Sequence, residues 1–182
     1  MDLDHLQKVL STADIIHTEQ QVAHALDRMA AAIERDYRNL NPLMLCVMNG
    51  GLFTAAALYQ RLQFLLQQDY MQVSRYRDNT RGGDIEWRAK PRASLDGRHV
   101  LIIDDILDEG VTLSAILHYC RENKAASVEV AALTRKLHAR RVQGMTAKYM
   151  GLDVPDRYVF GCGMDYQGYF RNLNAVYALA ET

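Results

Sequence analysis

The stretch "VLIIDDILDEGVTL", residues 100–113, decides how this chain folds and where its chemistry lies. Its first four residues form a continuous apolar run, which is typical of a strand buried on both faces of a parallel sheet. Asp104 and Asp105 follow directly, and Asp108 and Glu109 add two further carboxylates. Like charges this close together repel one another, so we expect their partners to come from outside the stretch.

The segment after this strand is predicted to be a turn that leads into a helix. Gly110 permits a positive φ, and Thr112 brings a hydroxyl next to the free N–H groups of the first helical turn. Such a helix start suits a phosphate, although neither GxxxxGK[ST] nor GxGxxG is present here. Bound Mg2+, which takes carboxylate and substrate oxygens, would reconcile the acids with a phosphate. The alternative is that Asp108 and Glu109 merely cap the helix and complement its dipole.

Predicted strands and helices alternate along the rest of the chain. The predicted helices cover 19–38, 53–65 and 113–121, and the predicted strands cover 43–48, 70–76, 85–90, 100–103, 128–133 and 158–160. We expect 77–84 to be a mobile loop and 134–156 to be irregular and partly basic. The alternation predicts an α/β fold, a mostly parallel twisted sheet flanked by helices. Its ligand should lie at the carboxyl ends of the strands.

The composition is that of a soluble globular protein, with 49% hydrophobic and 24% charged residues. The net charge of -1 argues against general nucleic-acid binding. No signal peptide and no membrane span is expected, so we predict a cytoplasmic protein. The six histidines lack HExxH and HxxxH spacing, which argues against zinc. The three cysteines, Cys46, Cys120 and Cys162, form no CxxC pair and are expected to be reduced.

The motif in residues 100–113 closely resembles the phosphoribosyl pyrophosphate (PRPP) motif of the type I phosphoribosyltransferases. In both, an apolar strand leads into two acidic residues, two apolar residues and D-x-G-x-T. The resemblance implies that Asp104 and Asp105 lie near the ribose hydroxyls and Mg2+, and that 108–112 cradle the 5-phosphate. The residues that it assigns to PRPP are Asp104, Asp105, Asp108, Glu109, Gly110, Val111, Thr112, Asn49, Gly50 and Arg171.

The segment "RYVFGCGMDYQGYFRNL", residues 157–173, resembles the purine-binding segment of the hypoxanthine-guanine phosphoribosyltransferases. That family implies a single domain over 1–182, with a small hood over the base made from N-terminal residues and about 155–182. It assigns Lys136 to the 6-oxo group, Tyr158 to stacking and the Val159 backbone to the base. The other assignments are Met164 at the base edge, Asp165 as a second metal-associated acid besides Asp104 and Asp105, Arg171 at the pyrophosphate, and Arg140 in the basic segment.

Two further segments complete the resemblance. Residues 48–50, "MNG", resemble the family's pyrophosphate loop, which often holds a non-proline cis peptide. Arg75 and Tyr76 match the mobile loop that closes over the site. The sequence departs from the family at Asp104, where Glu is common, at Asn49, where Lys is frequent, and at Arg75, where Ser is usual. We expect these departures to alter efficiency more than reaction type.

The implied reaction joins hypoxanthine or guanine to PRPP and gives IMP or GMP plus pyrophosphate. Asp108 would take the proton from the purine ring, Mg2+ would be the cofactor, and the protein would be a homodimer or homotetramer. A preference for xanthine or another base would keep the same chemistry. The rival is a regulator with the same fold that senses PRPP or nucleotides and binds nucleic acid. Its basic patch would comprise Arg88, Lys90, Arg92, Arg98, Arg135, Lys136, Arg140 and Arg141.

Taken singly, the residues after 135 have plainer interpretations. Lys136, beside other basic residues, could belong to a solvated basic face. Tyr158 could be a core aromatic, Asp165 could cap a turn, and Arg171 could form a surface ion pair. The functional interpretation depends on several segments that agree in order and spacing.

Overall fold

The computed structural model describes residues 2–75 and 85–181, and its centre is a six-stranded sheet. In chain order the elements are α1 (Leu3–Thr12), β1 (Asp14–His17), α2 (Glu19–Tyr37), β2 (Leu43–Met48), α3 (Gly51–Tyr59), β3 (Gln67–Arg75), β4 (Ile85–Ala89), β5 (His99–Leu107), α4 (Val111–Glu122), β6 (Ser127–Lys136), β7 (Tyr149–Val154), β8 (Val159–Phe160) and β9 (Val176–Ala178). The described helices include none that is both long enough and apolar enough to cross a membrane.

The central sheet has the strand order β4-β3-β2-β5-β6-β7, and only β4 runs antiparallel to its neighbour. The prediction of a mostly parallel α/β sheet is confirmed. From β2 the chain proceeds outwards to β3 on one side, whereas β5 proceeds to β6 on the other side. The strand order therefore reverses between β2 and β5, which is where ligands of such sheets bind.

Strand β5 is buried on both faces because helices cover both sides of the sheet. Leu101 and Ile103 pack into one apolar cluster with Ile33 of α2 and Leu58 of α3. Val100 and Ile102 pack into the opposite cluster, which includes Ile116 of α4 and others. This explains why the apolar run of β5 is continuous rather than alternating.

A second sheet of three short antiparallel strands has the order β1-β9-β8. It joins N-terminal to C-terminal residues, since Asp14 pairs with Ala178 and Val159 also pairs with Ala178. An aromatic group packs around Phe160, with Tyr177 stacked at 5.5 Å and Phe170 at 5.3 Å between ring centroids. These rings are close enough to stabilise the small sheet beyond simple burial.

Several predicted bounds were wrong, and the longest errors lie in β5, β6 and β7. Strand β5 continues through Asp104 and Asp105 to Leu107 because β6 runs alongside it, pairing Leu107 with Arg135. Lys136 is accordingly the last residue of β6 and does not follow the strand. The supposedly irregular 134–156 contains β7, whose strand pattern is weakened by Gly151 and Asp153.

The helices and the thiols agree more closely with the predictions. The helix predicted over 19–38 is confirmed as α2, with a capping box between Thr18 and Gln21. The helix predicted over 53–65 is shorter, because α3 ends at Tyr59 and the chain turns to enter β3. The three cysteines are buried and free of disulfide bonds, as expected.

Candidate active site

Part of the predicted site lines a cavity of about 280 Å³ at the carboxyl ends of β2 and β5. It is lined by Val47, Met48, Asn49, Gly50, Val73, Asp104, Asp105, Ile106, Asp108, Gly110, Thr112, Leu113 and Arg171. Eight of the predicted site residues are among them: Asn49, Gly50, Asp104, Asp105, Asp108, Gly110, Thr112 and Arg171. A larger apolar cavity of about 480 Å³ lies elsewhere, between α3 and the adjoining strands.

The two consecutive aspartates are almost fully buried, with Asp104 9% and Asp105 8% exposed. Burial raises the pKa of Asp104 well above its usual value, and the neighbouring Asp105 raises it further. The backbone N–H of Asp105 donates to Asp104 Oδ1 at 3.0 Å and offsets part of this rise. Burial also raises the pKa of Asp105, although a side-chain hydrogen bond with Asp104 and the charge of Arg171 act in the opposite direction. Two buried carboxylates in contact are costly, which indicates that a cationic partner belongs here.

Close backbone packing draws two turns together around Asp105 of β5. The peptide between Met48 and Asn49 is cis, and α3 begins directly after this turn. A Cβ on Gly50 would lie 2.0 Å from Asp105 Oδ2, and one on Gly163 would lie 2.1 Å from the Gly50 carbonyl oxygen. Glycine is therefore needed at both positions to bring the 48–51 turn and the 161–164 turn against β5.

The start of α4 forms another wall of the cavity. Its N-cap is Gly110, with φ 80 and ψ 8, which has no side chain to cap the free N–H groups. Val111 is the first helical residue, and Thr112 in the same first turn lines the cavity. The capping role considered for Asp108 is not observed, since its carboxylate oxygens accept hydrogen bonds from other side chains. Glu109 accepts a backbone hydrogen bond from Val142 through its carbonyl oxygen.

Asp108 is held by two side chains from the end of β6 and the segment after it. Lys136 Nζ donates to Oδ2 at 2.8 Å, and His138 Nε2 lies 2.6 Å from Oδ1. Burial alone would raise the pKa of Asp108, but the hydrogen bonds from Lys136 and His138 outweigh it and lower the pKa. Lys136 is only 15% exposed, so it does not belong to a solvated basic face.

The 161–171 region supplies Arg171 to the cavity and places Asp165 behind it. Arg171 donates to the Gly163 carbonyl oxygen at 2.6 Å and pairs with Asp165 at 2.6 Å. The other Asp165 oxygen accepts the Gly168 N–H at 2.7 Å.

Among the described residues, no group of three or more His, Cys, Asp or Glu side chains is arranged to hold a metal ion.

The remaining predicted purine residues lie outside the cavity lining. Tyr158 is half-exposed and donates through its hydroxyl to the Asp165 carbonyl oxygen at 3.1 Å. Val159 is buried in β8, and Met164 is buried with its sulfur 3.5 Å from the Thr134 hydroxyl. Arg75 ends β3, whereas Tyr76 and most of the predicted loop lie outside the described residues.

The basic residues at the end of β6 and in the segment after it are largely neutralised by acids. Arg135 forms two hydrogen bonds with Asp153 at 2.7 and 2.8 Å. Arg140 forms two with Asp156, both at 2.7 Å. Much of the positive charge on which the nucleic-acid-binding alternative depended is therefore paired within the chain.

Sequence reasoning missed His138 and Arg141 as parts of the site. Arg141 donates to the Lys136 carbonyl oxygen at 2.6 Å and to the Asp108 carbonyl oxygen at 3.3 Å, which ties the two strand ends together. The signal was the basic segment "RKLHARR", 135–141, directly after a buried strand. Nothing in the spacing distinguished these residues from a basic surface.

Comparisons with known proteins agree with this fold and site. The family model described as the phosphoribosyl transferase domain matches residues 12–167. A hypoxanthine-guanine-xanthine phosphoribosyltransferase of Tritrichomonas foetus is 29% identical over 99% of this chain and 95% of the relative. A hypoxanthine-guanine phosphoribosyltransferase of Bacillus subtilis is 32% identical over 87% of this chain and 88% of the relative.

Solved structures of similar proteins have the same fold as this chain. A hypoxanthine phosphoribosyltransferase from Staphylococcus aureus superimposes with a TM-score of 0.88 at 27% identity, covering 98% of this chain and 97% of that one. The family match begins at the last residue of α1 and ends at residue 167, so it includes the cavity residues from β2 to α4 but not Arg171. The chain belongs to the phosphoribosyl transferase domain family.

Proposed function

We propose that this chain transfers the 5-phosphoribosyl group of PRPP to hypoxanthine or guanine, giving IMP or GMP plus pyrophosphate in purine salvage. The observation that carries the proposal is the Lys136–Asp108 pair beside the cavity of Asp104, Asp105 and the α4 start. This arrangement combines a cation donor for a base, a carboxylate for a proton and a helix start for a phosphate. The names of the relatives from Tritrichomonas foetus and Bacillus subtilis support the same reaction.

Base selection would depend on Lys136, because its ammonium can only donate hydrogen bonds. It suits the 6-oxo acceptor of hypoxanthine, guanine or xanthine and disfavours the 6-amino group of adenine. A site built around such a polar contact rejects ligands that lack the acceptor. Tyr158, Val159, Met164 and Asp165 are the residues that we assign to the rest of the purine.

The ribosyl centre would pass through a loose, cationic transition state, so positioning and charge stabilisation would dominate catalysis. The N–H groups and Thr112 hydroxyl at the α4 start would hold the 5-phosphate. Arg171, Asn49 and Gly50 would hold the pyrophosphate. Asp108 would accept the ring proton of the purine, and its lowered pKa keeps it ionised for that task at neutral pH. Arg75 and Tyr76 would belong to the segment that excludes water.

The donor set fits Mg2+, for which Asp104 and Asp105 are the candidate protein ligands, with Asp165 as a further acid. Mg2+ binds through one or two carboxylates and substrate oxygens, so it does not require a cluster of three protein ligands. Among residues 2–75 and 85–181, no cation forms an ion pair with either buried acid, and Arg171 acts on Asp105 only through its charge, which is the observation that favours a metal. When bound, Mg2+ would neutralise charge on the pyrophosphate.

The assembly and location follow from other features. Large exposed apolar side chains are present on α3 (Leu52), on β3 (Tyr70) and in the segment between them (Leu65), and such a surface suits a second copy of the chain. We therefore propose a homodimer or homotetramer, testable by light scattering after size-exclusion chromatography. We assign the hood over the base to the β1-β9-β8 sheet in a single domain, and we propose a cytoplasmic location.

The decisive experiment is a coupled assay with PRPP, Mg2+ and each of five bases: hypoxanthine, guanine, xanthine, adenine and uracil. We expect turnover with hypoxanthine and guanine and little with adenine or uracil. Turnover with xanthine would extend the substrate range without altering the reaction. Absence of turnover with every base would overturn the proposal.

A further inference from the structure

His138 is a buried histidine whose ring contacts the Asp108 carboxylate. Its side chain is 3% exposed, and it lies on the segment that follows β6. One ring nitrogen, Nε2, is 2.6 Å from Asp108 Oδ1. The other, Nδ1, accepts the backbone N–H of Arg140 at 3.1 Å. Both ring nitrogens are therefore engaged within the protein.

The hydrogen-bond partners assign the tautomer of His138. A backbone N–H can only donate, so the Nδ1 atom that faces Arg140 carries no proton. The neutral ring then carries its proton on Nε2, and Nε2–H donates to Asp108 Oδ1. The bond to Arg140 N–H thus orients the ring in the same way that an outer partner orients a metal-bound histidine.

The two carboxylate oxygens of Asp108 have different partners, and only one of these partners has to move when the base binds. Oδ2 is contacted by Lys136, which the proposed function assigns to the 6-oxo group of the incoming purine. Lys136 must therefore share or leave its contact with Asp108 when the base binds. His138 is enclosed by protein and fully engaged, so it remains on Oδ1 throughout.

We propose that His138 is the positioning residue that holds the Asp108 carboxylate oriented and ionised for accepting the purine proton. The inference rests on the proposed function. In the step that it serves, the ring N–H bond of the purine breaks and its electron pair stays on that nitrogen. The proton passes to Oδ2 of Asp108, which becomes a neutral acid. His138 keeps its Nε2 proton and stabilises the charged carboxylate beforehand.

The groups around Asp108 determine how its pKa should change when His138 is replaced. In the part of the chain that the structure describes, the charged and titratable groups near it are Lys136 at the end of β6, His138, Arg140 and Arg141 on the following segment, Glu109 beside it, and Asp156 paired with Arg140. Asp104, Asp105 and Arg171 line the same cavity as Asp108. The hydrogen bond from His138 lowers the pKa of Asp108. Its removal should raise that pKa and so move the acidic limb of the activity profile to higher pH.

Two substitutions at His138 distinguish the loss of its hydrogen bond to Asp108 from the loss of its packing. His138→Phe keeps a ring in the buried space but removes the N–H donor, whereas His138→Gln supplies a neutral amide N–H. We expect His138→Phe to lower kcat by about 10–100-fold, with the acidic limb shifted upwards and KM for PRPP changed by less than about 3-fold. We expect His138→Gln to restore most of kcat and the wild-type limb. His24→Gln, at an exposed histidine on α2, is the control for loss of a histidine.

The results of these measurements distinguish a failure of the inference from a failure of the proposed function. A His138→Phe variant with wild-type kcat and pH profile would overturn the inference, as would a His138→Gln variant as impaired as His138→Phe with equal Tm. Carboxyl NMR titration of Asp108 provides a readout without turnover: its pKa should rise in His138→Phe and return towards wild type in His138→Gln. If the wild-type enzyme shows no turnover, the proposed function fails, and this titration alone decides whether His138 holds the carboxylate ionised.

Discussion

Gly50 and Asp105 lie so close together that a Cβ on Gly50 would be 2.0 Å from Asp105 Oδ2 and 2.5 Å from Asp105 Cγ. Gly50 has φ -61 and ψ -46, a helical conformation that any L-residue adopts. Space, rather than backbone conformation, therefore requires glycine there. Through this contact the turn before α3 is packed directly against the acidic end of β5.

Gly50→Ala should destabilise the protein and disrupt the site. The added methyl has no room beside the buried Asp105 carboxylate, and overpacking of this kind costs about 1–3 kcal/mol. We expect a lower free energy of unfolding in denaturant titrations and a large loss of kcat/KM for PRPP, because the 48–51 turn must shift.

A double-mutant cycle with Asp105→Ala tests this explanation. If the clash is with the Asp105 carboxylate, the cost of Gly50→Ala in the Asp105→Ala background should fall by more than about 0.5 kcal/mol. An equal cost in both backgrounds would show that the alanine is rejected by something other than the carboxylate.

The chemistry of residues 100–113 could be predicted because it is local. An apolar strand, a pair of acids and a glycine-containing helix start are adjacent in the chain, and their resemblance to a known motif is long. The extension of β5 to Leu107 could not be predicted in this way, because it depends on pairing with β6 some 28 residues later. Aspartate has a low intrinsic propensity for strands, but in β5 the pairing with the neighbouring strand outweighs this propensity.

The contacts of Asp108 illustrate the same limit. Lys136 was assigned through resemblance to a family segment, whereas its distance from Asp108 follows only from the parallel pairing of β5 and β6. His138 and Arg141 carry no local pattern that distinguishes them from surface residues.

The helix α1 and strand β1 were also missed, since four-residue strands such as Asp14–His17 form only when a partner such as β9 is present.

Lys136→Ala should impair use of the purine far more than binding of PRPP. A lost hydrogen bond from a charged donor is worth about 1.5–3 kcal/mol, which corresponds to roughly a 10–150-fold rise in KM for hypoxanthine. We expect the Kd for PRPP with Mg2+ to change by less than about 3-fold. Steady-state kinetics and calorimetry measure the two quantities. Lys8→Ala, at an exposed lysine on α1, is the control, and equal losses for purine and PRPP would contradict the assignment of Lys136.

Asp104→Asn should stabilise the free protein while weakening PRPP binding. Burial and then Asp105 raise the pKa of Asp104, so its charged form is disfavoured in the folded state. A raised folded pKa gives stability at low pH that is lost as pH rises through it. The Tm of the variant should therefore exceed that of wild type by more at pH 8 than at pH 5, in buffer without divalent ions. The stabilisation of wild type by Mg2+ and PRPP should be smaller in the variant, and an equal stabilisation would contradict a role for Asp104 in binding.

Asp36→Ala should destabilise the contact between α2 and β7. The Tyr149 hydroxyl donates to Asp36 Oδ2 at 2.9 Å, and Tyr149 is buried, so its hydroxyl would lose its acceptor. An unpaired buried hydroxyl costs about 1–3 kcal/mol, measurable by denaturant titration at pH 7.

The pH dependence of this loss has a definite sign. Arg35 first, and then Tyr149 and Lys148, lower the pKa of Asp36. A lowered folded pKa contributes stability that is present above the unfolded pKa of about 3.9 and is lost as pH falls through the folded value. The difference between wild type and Asp36→Ala should thus narrow below about pH 4. Glu34→Ala, which removes an exposed pair with Arg38 on the same helix, should cost less than about 0.5 kcal/mol at pH 7. If the two variants lost equal stability, the Tyr149 contact would not be what makes Asp36 important.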